Sequence, residues 1–164
     1  MKQDNIDDKR FSYMIEKRVR KHIRINKFFK KGDNLIIVSE ICNHLIRKII
    51  RDLPLNIQTK KIIPKIIPKN TLLVLPTTAD DEACSMLSTI FQAKKTKKTR
   101  HVPLLLPITD KEAQHYSIIN NITFKPQKKD KEVMGFVYSI QEKHPEVLHS
   151  LSKTSQHLQD ILFK

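Results

Sequence analysis

The stretch Lys31–Ile50, KGDNLIIVSEICNHLIRKII, constrains the fold more than any other part of the chain. A Gly-Asp turn leads into the apolar run Leu35–Val38, and Ser39 opens a segment in which Ile41, Leu45, Ile49 and Ile50 mark one helical face. A short buried strand passing directly into a helix is the unit that begins α/β nucleotide-binding domains, whose ligands sit at the carboxyl end of the strand. The loop here is unsuited to phosphate. Backbone N–H groups approach a pyrophosphate closely where glycine permits it, and Ser39 is instead followed by Glu40 and Ile41. A carboxylate at that point repels an anion. Ser39, Glu40, Ile41, Asn43 and His44 therefore read as a degenerate loop with no cofactor and no catalytic residue.

The rest of the chain is expected to complete one domain, because 164 residues suit a single core. Only two glycines leave little room for tight hairpins, so helices should dominate. Residues 1–10 read as disordered and 11–164 as the domain. From Phe11 to about Lys31 the apolar positions Phe11, Ile15, Val19, Ile23 and Phe28 recur at near-helical spacing among basic residues. Pro54 stops the helix after Ser39, and residues 55–70, with Pro64 and Pro68, read as an extended connector. Thr71–Pro76 is a second short strand. Thr77 or Thr78 then caps a helix with Asp80, Asp81 and Glu82 in its first turn. Those acids offset the helix dipole better than they make a metal site, since no His or further acid follows at ligand spacing. Val102–Leu106 is a third apolar stretch, and Thr109 with Glu112 forms a capping box for a helix ending at Asn120-Asn121. Two apolar-rich helices, 132–143 and 145–163, close the chain. His149 and His157 lack a second ligand at i, i+4, so no metal is expected.

Charge points to a partner. The chain carries 31 Lys and Arg against 17 acids, for a net +14. Residues 1–70 hold 18 basic residues against 7 acidic ones, so the positive field is concentrated toward the amino end. A polyanion fits, and nucleic acid is the expected one. The candidate contacts are Arg18, Arg20, Lys21, Arg24, Lys27, Lys30 and Lys31, together with the basic run Lys94, Lys95, Lys97, Lys98 and Arg100. Cys42 and Cys84 form no metal or disulfide pattern, which suits a reducing cytoplasmic compartment. No apolar run is long enough for a membrane span, and the polar start MKQDNIDDK is unlike a signal peptide.

The segments PLLLPITDKEAQHY and EVMGFVYSIQEKHPEVLHSLSKTSQHL carry a resemblance. A Pro-Leu strand end followed by a Lys-Glu helix start and an aromatic, here Pro103, Leu104, Lys111, Glu112 and Tyr116, resembles the PP-loop tRNA-thiolation proteins. Pro145 with Lys153, Thr154 and Ser155 in the final helix is similar to the cytoplasmic tRNA 2-thiolation protein 2 family, as is the acidic segment Ala79–Ile90 before a basic loop. The front of the chain keeps that family's basic helix, Lys-Gly-Asp turn and hydrophobic strand. Its Ser-Gly-Gly-x-x-Ser loop is replaced, with Glu40 and Ile41 for the glycines and His44 for the second Ser, and Leu105 stands where an Arg follows Pro-Leu. The resemblance implies a reduced PP-loop (adenine nucleotide alpha hydrolase-like) parallel sheet flanked by helices, with a helix-rich C-terminus. It also implies a cytoplasmic pseudo-enzyme subunit that binds tRNA beside a catalytic tRNA 2-thiolation subunit. The alternatives are a reduced ATP-dependent tRNA thiolase and a free basic RNA-binding domain.

Overall fold

The computed structural model describes residues 2–92 and 101–162, with side chains described for 7–91 and 101–155. Helix α1 (Lys2–Asn26) precedes strand β1 (Asn34–Ile37), helix α2 (Glu40–Ile49) and strand β2 (Asn56–Thr59). Then follow β3 (Thr71–Leu75), α3 (Ala79–Gln92), β4 (His101–Pro103), α4 (Asp110–Ile119), α5 (Lys131–Gln141) and α6 (Val147–Leu162). Among the described residues this is an α/β architecture with an all-parallel four-stranded sheet in the order β2-β1-β3-β4. The chain leaves β1 toward one edge and β3 toward the other. The crevice between their carboxyl ends is therefore the topological switch point, where open α/β sheets take their ligands.

Leu35, Ile36 and Ile37 of the central strand β1 are all buried, as a parallel strand covered on both faces requires. Gly32, at φ 84, makes the turn into β1: its N–H donates to the Pro54 carbonyl at 2.9 Å, and a side chain at that φ would be strained. Within the expected connector 55–70, the polar segment Asn56–Thr59 pairs with β1 as an edge strand. Its only half-buried residue is Ile57, so backbone hydrogen bonds make the strand and its side chains give little sign of it.

The helices form two hydrophobic clusters. Ile15 and Val19 of α1, Leu35 and Ile37 of β1, Ile41 and Leu45 of α2, and Ala113 and Tyr116 of α4 build the larger one around the sheet. Ala83 and Leu87 of α3, Val133 and Val137 of α5, and Leu148 of α6 build the smaller. Helix α1 begins at Lys2, so the segment expected to be disordered continues the helix; it runs alongside α4, where Asp8 Oδ1 lies 3.9 Å from His115 Nε2. It ends at Asn26 in a Schellman turn, with Phe28 N–H donating to Ile23 O (3.3 Å) and Lys27 N–H to Arg24 O (3.4 Å), which forces Lys27 to φ 50. Thr78 caps α3 and Thr109 caps α4, the latter through the expected reciprocal bonds with Glu112. No described helix is long and apolar enough to cross a membrane.

Candidate functional site at the carboxyl ends of the strands

Ser39 leaves β1 in extended conformation and caps α2 without a side-chain hydrogen bond. The next residue closes the loop. The Glu40 carboxylate accepts from the Thr123 backbone N–H at 2.9 Å and from the Thr123 hydroxyl, joining the loop after β1 to residues 83 positions away. These two bonds, the hydroxyl first, hold the Glu40 carboxyl below the usual carboxylate range and keep it ionised. Ile41 and Cys42 point into the core, and burial pushes the Cys42 thiol up to about 12, so it is a neutral thiol at neutral pH. An anion approaching the start of α2 therefore meets a fixed carboxylate and no glycine-lined nest.

The remaining loop residues face a hollow of about 460 Å³ along α2, where Glu40, Asn43 and His44 stand with Arg47, Lys48, Arg51 and Ile122. Asn43 is engaged by Arg47, whose Nε donates to its Oδ1 at 3.0 Å. His44 lies edge-on to Tyr116, with ring centroids 6.0 Å apart, and its Nε2 is buried without a partner. Lys48 pairs with Glu16 at 2.8 Å, and the same carboxylate accepts from the Tyr116 hydroxyl at 3.2 Å. Arg47 and Lys48 of α2, and Arg51 just beyond its end, are not among the contacts expected from sequence. Their signal is proximity, since the three stand within five positions of one another.

At the end of β3 the acids of α3 are all engaged. Asp81 accepts from the Thr78 N–H at 2.9 Å, Asp80 accepts from the Asp110 N–H at 2.8 Å, and Glu82 accepts from Ser155. Lys129 sits 2.6 Å from both Asp81 and Asp110, with only 11% of its side chain exposed. Burial acts to lower the Lys129 pKa, and the hydrogen bonds and charges of the two carboxylates outweigh it, leaving it above its ordinary value. Burial raises the Asp80 carboxyl. This cluster sets one ammonium among the carboxylates of Asp80, Asp81 and Asp110 and ties together the chain segments that meet here. Among the described residues no group of His, Cys, Asp and Glu is arranged to hold a metal.

The expected RNA contacts are divided. Arg18 and Lys21 line a groove of about 650 Å³ between α1 and α6, together with Leu106 and Pro107 from the turn after β4 and Lys153 from α6. Arg18 is partly committed there, donating to Glu112 at 2.7 Å. Arg20, Arg24 and Lys27 are exposed outside this groove. Lys30 and Lys31 lie in the turn feeding the amino end of β1, the opposite rim of the parallel sheet from the end of β4. Lys94, Lys95, Lys97, Lys98 and Arg100 fall outside the described residues. Lys153 is not an expected contact from sequence, because nothing local marks a lone lysine on α6 as a neighbour of α1. No protein-family model matches the chain, and no curated protein shows significant similarity to it.

Proposed function

We propose that this protein is a reduced PP-loop-like, non-catalytic subunit that helps hold tRNA while a larger catalytic PP-loop partner carries out wobble-uridine 2-thiolation in the cytoplasm. The observation that supports it best is the contrast at the carboxyl ends of the strands. The loop after β1, where a nucleotide would be taken, is occupied by the Glu40–Thr123 tie, while Arg18, Lys21 and Lys153 gather beside the end of β4. Adenylating a uridine carbonyl requires ATP phosphates to be held, and sulfur transfer requires an accessible thiolate or carrier. Cys42 and Cys84 are both buried, so neither suits that role.

A partner surface is available on α3 and α5. Phe91 and Phe136 are 59% and 49% exposed, with ring centroids 6.1 Å apart, and Ile90 beside them is 56% exposed. Exposed aromatic pairs of this kind are more typical of interfaces than of free surface. The affinity-tagged full chain should co-purify a larger PP-loop subunit, and Phe91→Asp with Phe136→Asp should abolish that while far-UV circular dichroism is unchanged. Deleting the gene should remove the 2-thio group from wobble uridine, read by mass spectrometry of tRNA nucleosides. Undiminished 2-thiouridine after deletion would sink the thiolation assignment. Micromolar ATP binding by calorimetry would promote the active-enzyme alternative.

A further inference from the structure

The α1–α6 groove combines charge with an apolar wall in a way the other hollow does not. Lys21 and Lys153 both line it, and neither has a carboxylate within ion-pair distance among the described residues. Glu112, the acid nearest the groove's Arg18, is engaged by that guanidinium and by the Thr109 cap. His22 is fixed as part of the wall: its Nε2 lies 3.2 Å from the Pro103 carbonyl, its Nδ1 lies 3.1 Å from the Asn26 amide nitrogen, and burial lowers its pKa. The imidazole is therefore neutral near pH 7, donating through Nε2 and accepting at Nδ1. Ile25 is 63% exposed and lines the same groove as Leu106 and Pro107.

We propose that this groove binds single-stranded RNA, with Lys21 and Lys153 on a backbone phosphate and the adjoining base against Ile25 and Pro107. The proposal rests on the RNA-binding function above and gives it a site. A groove of about 650 Å³ has the capacity of a small-ligand pocket, enough for an unstacked nucleotide. A duplex keeps its bases stacked and paired, whereas unpaired bases can be splayed out and laid against apolar side chains. Two cations with no ion-pair partner among the described residues, facing an apolar wall, fit a phosphate followed by a base.

The test uses the full chain with native tRNA, a short oligouridine strand and an RNA duplex, each titrated across a salt series. The wild type should bind the single strand more tightly than the duplex. Lys21→Gln with Lys153→Gln should lower single-strand affinity and flatten the log-log salt slope by about 0.7, the change for one single-strand phosphate no longer neutralised. Ile25→Ser should weaken binding roughly fivefold with the slope unchanged, because it removes apolar surface and no charge. Lys61→Gln with Lys65→Gln, an equal charge removal on the exposed segment after β2, should leave the slope near wild type. If the groove variant binds like the wild type, or the two double variants weaken binding equally, the groove is overturned while RNA binding stands. If the wild type binds neither tRNA nor the single strand, the RNA-binding function falls with it.

Discussion

His44 stands in the second turn of α2, where its environment sets its protonation. Burial lowers its pKa and the Lys48 charge adds to this, while Glu16 and Glu40, each a smaller influence than Lys48, oppose it. Burial likewise lowers His22, against the opposing bond to the Pro103 carbonyl. Below the ordinary imidazole value of 6.5 the unfolded chain therefore binds more protons at these rings than the folded protein does. Under that condition stability rises with pH, so it is lost as pH falls from about 6.5 toward the lower folded values. Urea midpoints should fall between pH 7.5 and pH 5.5, roughly the range in which imidazole titrates. His44→Phe retains a ring against Tyr116 and removes the titration, so its midpoints should be less pH-dependent. The same pH dependence in the variant would show that the His44 ring is as well solvated folded as unfolded.

At the scale of elements, the ends of α1 and α4 show how differently two similar turns suit their residues. Both close as Schellman turns: Lys27 follows α1 at φ 50, and Asn121 follows α4 at φ 52 with Ile122 N–H donating to Ser117 O at 3.0 Å. Asn tolerates the left-handed region, whereas Lys carries a steric cost of about 1 kcal/mol there. Lys27→Gly should therefore raise the thermal midpoint by about 2 °C, the shift expected for roughly 0.5–1 kcal/mol in a domain of this size. Asn121→Gly should do much less, and a Lys27→Gly variant no more stable than wild type would mean the turn holds no strain. Sequence locates the end of α4 because Asn-Asn is a turn signal, and misjudges the end of α1 because Lys-Phe-Phe-Lys is not. Strand β2 escapes for a related reason: Asn56, Gln58 and Thr59 are exposed, so no alternation of apolar side chains marks it.

At the scale of the whole molecule, the two hydrophobic clusters meet around Lys129. Asp81 stands at the start of α3 in the smaller cluster, Asp110 at the start of α4 in the larger, and the Lys129 ammonium bridges them at 2.6 Å on each side. Thr78 adds a 2.6 Å bond to Asp110, and Tyr138 of α5 donates to Asp80 at 3.4 Å. Removing the cation strands two nearly buried carboxylates. Lys129→Met should cost about 3 kcal/mol in urea unfolding at neutral pH, the range for a buried pair broken from one side. A cost below about 1 kcal/mol would indicate that water enters the cluster and screens it as it does a surface pair.

Local order alone determined much of this protein: the strand–helix succession from Lys31 to Ile50, a cap at Thr77 or Thr78 and another at Thr109, the Gly32 turn, and a carboxylate in place of glycine at the start of α2. Each depends on residues within a turn or two of one another, where periodicity and capping chemistry are written directly in the sequence. Tertiary structure alone decided that Glu40 is held by Thr123, that Lys129 joins Asp81 to Asp110, that Asn56–Thr59 completes the sheet, and that Lys153 faces the same groove as Lys21. These are contacts between distant or singly placed polar residues. A lone Lys or Thr reads alike in solvent and in a network, and its role is fixed only when packing of the apolar faces brings its partner within hydrogen-bond range.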